Sequence, residues 1–282
     1  MNSSLREAER PSGAAPLIPS GLDAVLVLLR HGETEFIVSG RFQGQMDAPL
    51  TAAGERQIQN AAAALAAPRS ESLLPIPAAL PRAIVHSPLS RARRSAELVA
   101  QAYAAAGTPP PPLRPEPGLL EIAQGDWEGL TDSEIETRYP GTLPAWRRWP
   151  ERAAAPGGET LLQVRKRVDE ALAHLLSDLA EGTTPGTMDR HQVLGYADHT
   201  TERPWMLLVG HGGVFRVLLC SLLNLPPEHF WSFDFGLGAI SVVEIRAGRG
   251  VLRALNLEPH LGRELEAVAH YQTAERDESG AL

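Results

Sequence analysis

Apolar and polar positions alternate along the chain in blocks. Residues 24–30 are almost wholly apolar, as a strand buried on both faces requires. Residues 83–86 and 205–209 repeat that pattern and predict two more buried strands. Helices are predicted after each: 52–67 behind a Thr51 cap, then 90–106, then 212–223. Leu161, Leu162, Val164, Val168, Leu172, Leu175 and Leu179 recur at helical spacing and predict a long amphipathic helix over 160–180. Thr131 with Glu134 forms a capping-box pattern, which predicts a short helix ending near Tyr139. Segments 239–245 and 251–257, split by Ala247-Gly248-Arg249-Gly250, read as a terminal hairpin. The proline-rich stretches 73–81 and 107–117 read as connections.

Strands alternating with helices imply an α/β protein of three layers, with a mainly parallel sheet flanked by helices. One domain over residues 23–261 is expected. Residues 1–22 read as a flexible N-terminal tail, 181–203 as a polar surface insertion without periodicity, and 262–282 as a weakly ordered C-terminal tail.

Composition narrows the partners rather than the chemistry. The formal charge of −8 argues against nucleic acid and anionic membranes, which select basic surfaces. It leaves a phosphorylated small molecule open, because a few arginines in a cleft create a local positive site. No run is long enough to span a membrane and the leader lacks an apolar core, so a cytoplasmic protein is expected. Cys220 is the only cysteine, so no intrachain disulfide can form. Self-association is left open.

Ligands of open parallel sheets bind beyond the carboxyl ends of the strands. The first strand ends in Arg30-His31-Gly32. The second ends in Ser87 and leads to Arg91, and the third ends in Gly210-His211-Gly212-Gly213. In one sheet, these ends bring two histidines and two arginines to one crevice. That set suits a phosphoryl group, since arginine grips its oxygens bidentately and a helix starting at Gly212 adds N–H donors. Gly32, Gly210 and Gly212 would let the backbone approach a ligand. A metal would prefer carboxylates to adjoining cations, so none is implied. The remaining histidines, and Arg93 and Arg94, read as ordinary structural or solvated residues.

The order of these motifs resembles the histidine phosphatase superfamily, the phosphoglycerate-mutase-like enzymes, over roughly residues 25–245. The resemblance rests on Leu29-Arg30-His31-Gly32-Glu33-Thr34, Gly40-Arg41-Phe42-Gln43-Gly44, Ser87-Pro88-Leu89-Ser90-Arg91-Ala92, Leu120-Glu121 with Trp127-Glu128-Gly129, and Gly210-His211-Gly212-Gly213. It implies a phosphohistidine on His31, with Arg30, Arg91 and His211 holding the phosphoryl oxygens and Glu121 as acid and base. Gly212, Arg41, Gln43 and Gly44 are implied to complete the phosphate site, with no metal and no cofactor. The family pattern carries asparagine where Ile37 stands. Its loss would weaken phosphate binding by about 1–3 kcal/mol, unless Gln43 or a backbone amide substitutes.

The expected activity is hydrolysis of a small phosphorylated metabolite. Ala155-Pro156-Gly157-Gly158-Glu159 resembles the phosphatase branch. Trp146-Arg147-Arg148 resembles a mutase substrate-binding piece, so mutase-type phosphoryl transfer is the alternative. A non-catalytic phospho-ligand-binding or scaffolding protein on the same fold is a second alternative.

Overall fold

All of β1 (Ala24–Arg30) except Arg30 is buried, and it lies inside the sheet. Its odd positions Val25, Val27 and Leu29 share a core with Ile58 and Leu65 of α2 (Ala52–Ala66) and Ala96 and Val99 of α3 (Ser90–Ala105). Its even positions Leu26 and Leu28 face the opposite core, against Val168 and Leu172 of α6 (Leu161–Ala180) and Leu218 of α7 (Gly212–Leu222). Period-two alternation with both sides apolar is what a strand between two helical layers needs. Each such fully buried aliphatic side chain contributes on the order of 1.5–3 kcal/mol. The computed structural model describes residues 16–67, 74–181 and 203–258.

The sheet has six strands in the order β3-β2-β4-β1-β5-β6. β2 (Ile84–His86), β3 (Leu113–Pro115) and β4 (Trp205–Gly210) run parallel with β1, while β5 (Ile240–Arg246) and β6 (Arg249–Leu257) add an antiparallel hairpin to its other edge. The sheet is therefore mixed, parallel in four strands. Register aligns the strand ends: Arg30 pairs with Gly210 and His86 with Val209. The ladder runs one step further, with His31 N–H donating to Gly210 O and Ser87 N–H to Val209 O, both at 3.0 Å.

The expected capping box of Thr131 with Glu134 forms on α4 (Asp132–Arg138), and the structure adds a second, Thr160 with Gln163, on α6. Between them lies α5 (Thr142–Arg148), and a four-residue α1 (Glu35–Val38) follows the first motif. No helix among the described residues is long and apolar enough to cross a membrane.

Four expectations need correction. Residues 113–115 form the edge strand β3 rather than a loop; a proline is tolerated there because an edge leaves one row of ladder positions free. Leu162 does not join the apolar face of α6 but is 78% exposed, because adjacent positions on a helix point about 100° apart and Leu161 faces the core. The N-terminal tail does not extend to residue 22, since Ile18 and Leu22 are buried in the core of α6 and α7. Among the glycines, Gly32 and Gly210 serve packing: a Cβ on Gly32 would stand 2.3 Å from Gly54 O, and one on Gly210 3.0 Å from the Phe215 ring. The expected tail over residues 1–15, the insertion between Glu181 and Arg203, and the C-terminal tail over 262–282 lie outside the described residues. Arg203 itself is buried and ion-paired with Asp23 and Glu244.

Candidate active site

His31 and His211 leave the ends of the adjacent strands β1 and β4, and their rings meet edge-on with centroids 5.1 Å apart. Both are buried. His31 Nδ1 lies 2.7 Å from Gly32 O. A carbonyl only accepts, so Nδ1 carries the proton and Nε2 keeps its lone pair. His211 Nε2 lies 2.8 Å from Ser87 Oγ, and His211 Nδ1 is buried with no partner among the described residues.

Arginines set the electrostatics. Burial holds the His31 pKa well below the ordinary 6.5, and the Arg91 and Arg30 guanidinium groups push it further down. His211 is lowered in the same way, by burial first and then by Arg91, His31 and Arg30. Both rings are therefore neutral near pH 7, the state in which an imidazole is a nucleophile. Arg91 is 1% exposed, and burial lowers it to about 10, so it stays charged. Its Nη1 and Nη2 donate to Met46 O and Gly44 O, at 2.9 and 2.7 Å, while Nε has no partner among the described residues. Arg30 is steered from the opposite wall by a hydrogen bond to Phe235 O.

The first motif is pinned to α2. Glu33 N–H donates to Gln57 Oε1, and Thr51 donates to Glu33 through both its backbone N–H and its hydroxyl. Thr34 caps α1 by accepting the Ile37 N–H, and it donates its hydroxyl to Gln43 Oε1 at 2.8 Å. That bond fixes the buried Gln43 amide with Nε2 as its donor end. Gln43 and Gly44 thus adjoin the cluster, Gly44 through its carbonyl on Arg91. Arg41 is engaged elsewhere: its Nη1 donates to Gly129 O at 2.6 Å and to Glu134 Oε2 at 2.9 Å.

Glu121 reaches the site from the connection behind β3 and docks on the N-terminus of α7. Its Oε1 accepts the N–H groups of Ile122 and Val214, both at 2.9 Å, and its Oε2 accepts Gly213 N–H at 3.1 Å. A Cβ on Gly213 would stand 2.6 Å from Oε1, so the docking requires glycine there. Gly212 opens α7, and a Cβ on it would meet the Arg30 guanidinium at 3.5 Å.

Two residues were missed from the sequence. Arg167 of α6 donates to Gly118 O, Leu120 O and Glu121 O while pairing through two bonds with Glu159, which also accepts Ala123 N–H. It clamps the backbone that carries Glu121, with Gln45 Nε2 donating to the same Glu121 carbonyl. Arg216 of α7 lies beside Arg30 over Gly212. An arginine inside the otherwise apolar helix 212–222 was the available signal for it. The basic pair of the mutase-like piece is occupied: Arg147 bridges to Asp132 and Arg148 stacks over Trp149 at 4.7 Å. Among the described residues, no three His, Cys, Asp or Glu side chains are grouped to hold a metal ion.

Two neutral histidines in edge contact, with the buried Arg91 and the half-buried Arg30 acting on them, suit phosphoryl transfer. The sequence profile of the histidine phosphatase superfamily (branch 1) matches residues 26–184 and 190–258, and the chain belongs to that family. It is 28% identical to phosphoserine phosphatase 1 of Hydrogenobacter thermophilus, over 87% of this chain and 97% of that one. It is 33% identical to glucosyl-3-phosphoglycerate phosphatase of Mycobacterium tuberculosis, over 78% and 84%. The solved structure of Bacillus stearothermophilus YhfR superposes with a TM-score of 0.66 at 27% identity, over 84% of this chain and 99% of that one. The chain is a phosphomonoester-hydrolysing member of the family.

Proposed function

We propose that the substrate is a small phosphorylated metabolite and that hydrolysis runs through a covalent phosphohistidine on His31. The observation that most supports this reading is a pair of buried donors without partners among the described residues, Arg91 Nε and His211 Nδ1, beside a histidine whose Nε2 holds a lone pair. Buried donors in native proteins usually find a partner, and a phosphoryl anion beside His31 would supply one to both.

Each step then has an owner. His31 Nε2 attacks phosphorus as the ester P–O bond breaks, and Glu121 gives a proton to the leaving oxygen. The phosphorylated ring is cationic, and Gly32 O holds its Nδ1–H. Arg30, Arg91, His211 and the Gly212 N–H face the phosphoryl oxygens as charge redistributes. Ser87 donates its hydroxyl to His211 Nε2, which leaves Nδ1–H for the phosphoryl group. Glu121 next takes a proton from water, whose oxygen attacks phosphorus. The N–P bond breaks and His31 returns to neutral. Gln43 supplies the neutral contact that Ile37 does not.

Hydrolysis rather than mutase-type transfer fits Arg147, whose pairing with Asp132 takes up a basic group of the mutase-like piece 146–148. A cytoplasmic setting belongs to the proposal, since Cys220 is a single, buried, free thiol.

The test is turnover of 4-nitrophenyl phosphate together with trapping of labelled enzyme. Wild type is expected to release phosphate and to carry an acid-labile label on His31, and His31→Ala to show neither. Turnover surviving in His31→Ala overturns the mechanism. Binding of phosphate with no label and no turnover in wild type leaves only the scaffolding alternative.

A further inference from the structure

Glu128 belongs to a motif that the mechanism does not use. The segments around Glu128 and Gln43 run side by side: Phe42 N–H donates to Leu130 O at 3.0 Å, and Gly129 N–H to Phe42 O at 2.8 Å. The buried rings of Phe42 and Trp127 meet edge-on with centroids 5.7 Å apart. Beyond Phe42 the chain turns sharply, with Met46 N–H donating to Gln43 O at 3.0 Å. Gly44 has a φ of +49° in that turn, in the left-handed region that favours glycine. The Glu128 carboxylate fills the space a side chain would need: a Cβ on Gly44 would stand 2.1 Å from Glu128 Oε1.

The turn touches both halves of the chemistry. On one side Gly44 O and Met46 O accept from the two Nη atoms of Arg91, so two carbonyls aim the buried guanidinium. On the other side Gln45 Nε2 donates to Glu121 O at 3.0 Å. Glu128 joins the sides through one oxygen. Its Oε1 accepts Gln45 N–H at 2.8 Å and Gln124 N–H at 2.9 Å. Gln124 is buried and stands three residues after Glu121. Backbone donors at such places are costly to leave unpaired, which holds both segments to the carboxylate. Charge works in the same direction: burial brings Arg91 down to about 10, while Glu121, Asp47 and then Glu128 oppose that fall.

Phosphoryl transfer needs a cation on the phosphoryl oxygens and an acid on the leaving oxygen of the same phosphorus, and a misplacement of about 1 Å can cost about a hundredfold in rate. We propose that Glu128 is a positioning residue for this reaction: by accepting the Gln45 and Gln124 N–H groups on one oxygen, it sets the spacing between Arg91 and Glu121. In this role Glu128 touches no reacting atom. The proposal rests on the parts given to His31, Arg91 and Glu121 above.

The competing role for Glu128 is purely structural, closing the turn beside Trp127. Two readouts separate the roles: inhibition by inorganic phosphate reports on Arg91, and dependence on the leaving group reports on Glu121. Glu128→Ala is expected to weaken phosphate inhibition about tenfold. It is also expected to lower kcat on glycerol 3-phosphate about tenfold more than on 4-nitrophenyl phosphate. Glu128→Gln keeps an acceptor oxygen for both N–H groups and is expected to restore most of both. Glu128→Asp, one methylene short, is expected to show both losses at reduced size, and it carries the test if the alanine variant does not fold. A lowered melting temperature with both readouts unchanged assigns Glu128 to structure and overturns the proposal. A loss in one readout alone overturns it too, because one oxygen holds both segments. Glu128→Gln as impaired as Glu128→Ala would place the effect in the charge and also overturns it.

Phosphate binding by His31→Ala separates these outcomes from failure of the hydrolytic reading, since it needs no turnover. Calorimetry with inorganic phosphate is run on that variant with Arg91→Lys and Glu128→Ala added singly and together. The two losses are expected to overlap, with the combined variant binding little more weakly than Arg91→Lys alone. Fully additive losses overturn the proposal whether or not wild type hydrolyses esters. Overlapping losses in a chain that turns over no ester would support the link to Arg91 and count against the hydrolytic reading alone.

Discussion

The Glu121 carboxylate accepts the backbone N–H of Val214 at 2.9 Å, so the proposed acid is docked on the helix that begins beside His211. One helix N-terminus thereby positions the acid through Gly213 and Val214 and offers the Gly212 N–H to the phosphoryl group. Glutamine at 121 keeps the length of the side chain but turns an NH2 toward backbone donors and has no proton to give. Glu121→Gln is expected to lower kcat by about a hundred- to ten-thousandfold on alkyl phosphates. The loss should be much smaller on 4-nitrophenyl phosphate, whose leaving group needs little protonation. Equal losses on both would remove Glu121 from the acid role.

The same docking makes Gly213 specific. A Cβ there would stand 2.6 Å from Glu121 Oε1, and the carboxylate is held from three sides and cannot yield without losing bonds. Alanine would otherwise favour a helix by about 1 kcal/mol over glycine. Gly213→Ala is expected to reproduce the leaving-group dependence of Glu121→Gln at a smaller size. Side-by-side assays on the alkyl and aryl esters check this, and a variant as active as wild type on both would count against the docking.

How far the sequence reveals this molecule depends on the scale of the signal. β1 was legible because both its faces are buried and six apolar residues in a row reflect that. The caps at Thr51 and Thr131 were legible because the capping bond spans three residues. β3 was not, because its three residues are exposed and its proline reads as a break. His31, His211 and Arg91 were legible as strand-end and helix-start residues. Arg167 and Arg216 were not, because their partners lie 46 and 17 residues away in the chain, and an arginine on a helix has no local mark of what it will clamp.

Arg167 is the residue in this set that touches no reacting atom yet holds the segment that does. Its three bonds to the carbonyls of Gly118, Leu120 and Glu121 fix the course of residues 118–121, with Gln45 sharing the Glu121 carbonyl. Arg167→Lys retains the charge beside Glu159 but cannot span three carbonyls and a carboxylate. It is expected to lower kcat on alkyl esters about tenfold or more with a smaller change in KM, and again to spare the aryl ester. A uniform loss across leaving groups, tracking thermal stability, would mean that Arg167 supports the fold alone.

The buried histidines tie stability to pH in a definite direction. Burial, and after it Arg91 and Arg30, hold His31 well below 6.5 in the folded protein; burial, Arg91 and His31 do the same for His211. On unfolding both rings regain the ordinary value and bind protons that the native state refuses. Stability is therefore fully present above about pH 6.5 and declines as the pH falls below it, until the depressed folded values are reached. Each histidine adds up to about 1.4 kcal/mol of lost stability per pH unit in that window. Urea unfolding at about pH 7.5 and about pH 5.5 should show the loss in wild type, and His31→Asn should shrink it by one proton's share. The catalytic profile carries the same signature. Because His31 stays neutral through the mildly acidic range, the acid limb of kcat/KM should fall below pH 6.5, and a limb centred at 6.5 would show that His31 is not desolvated as its surroundings require.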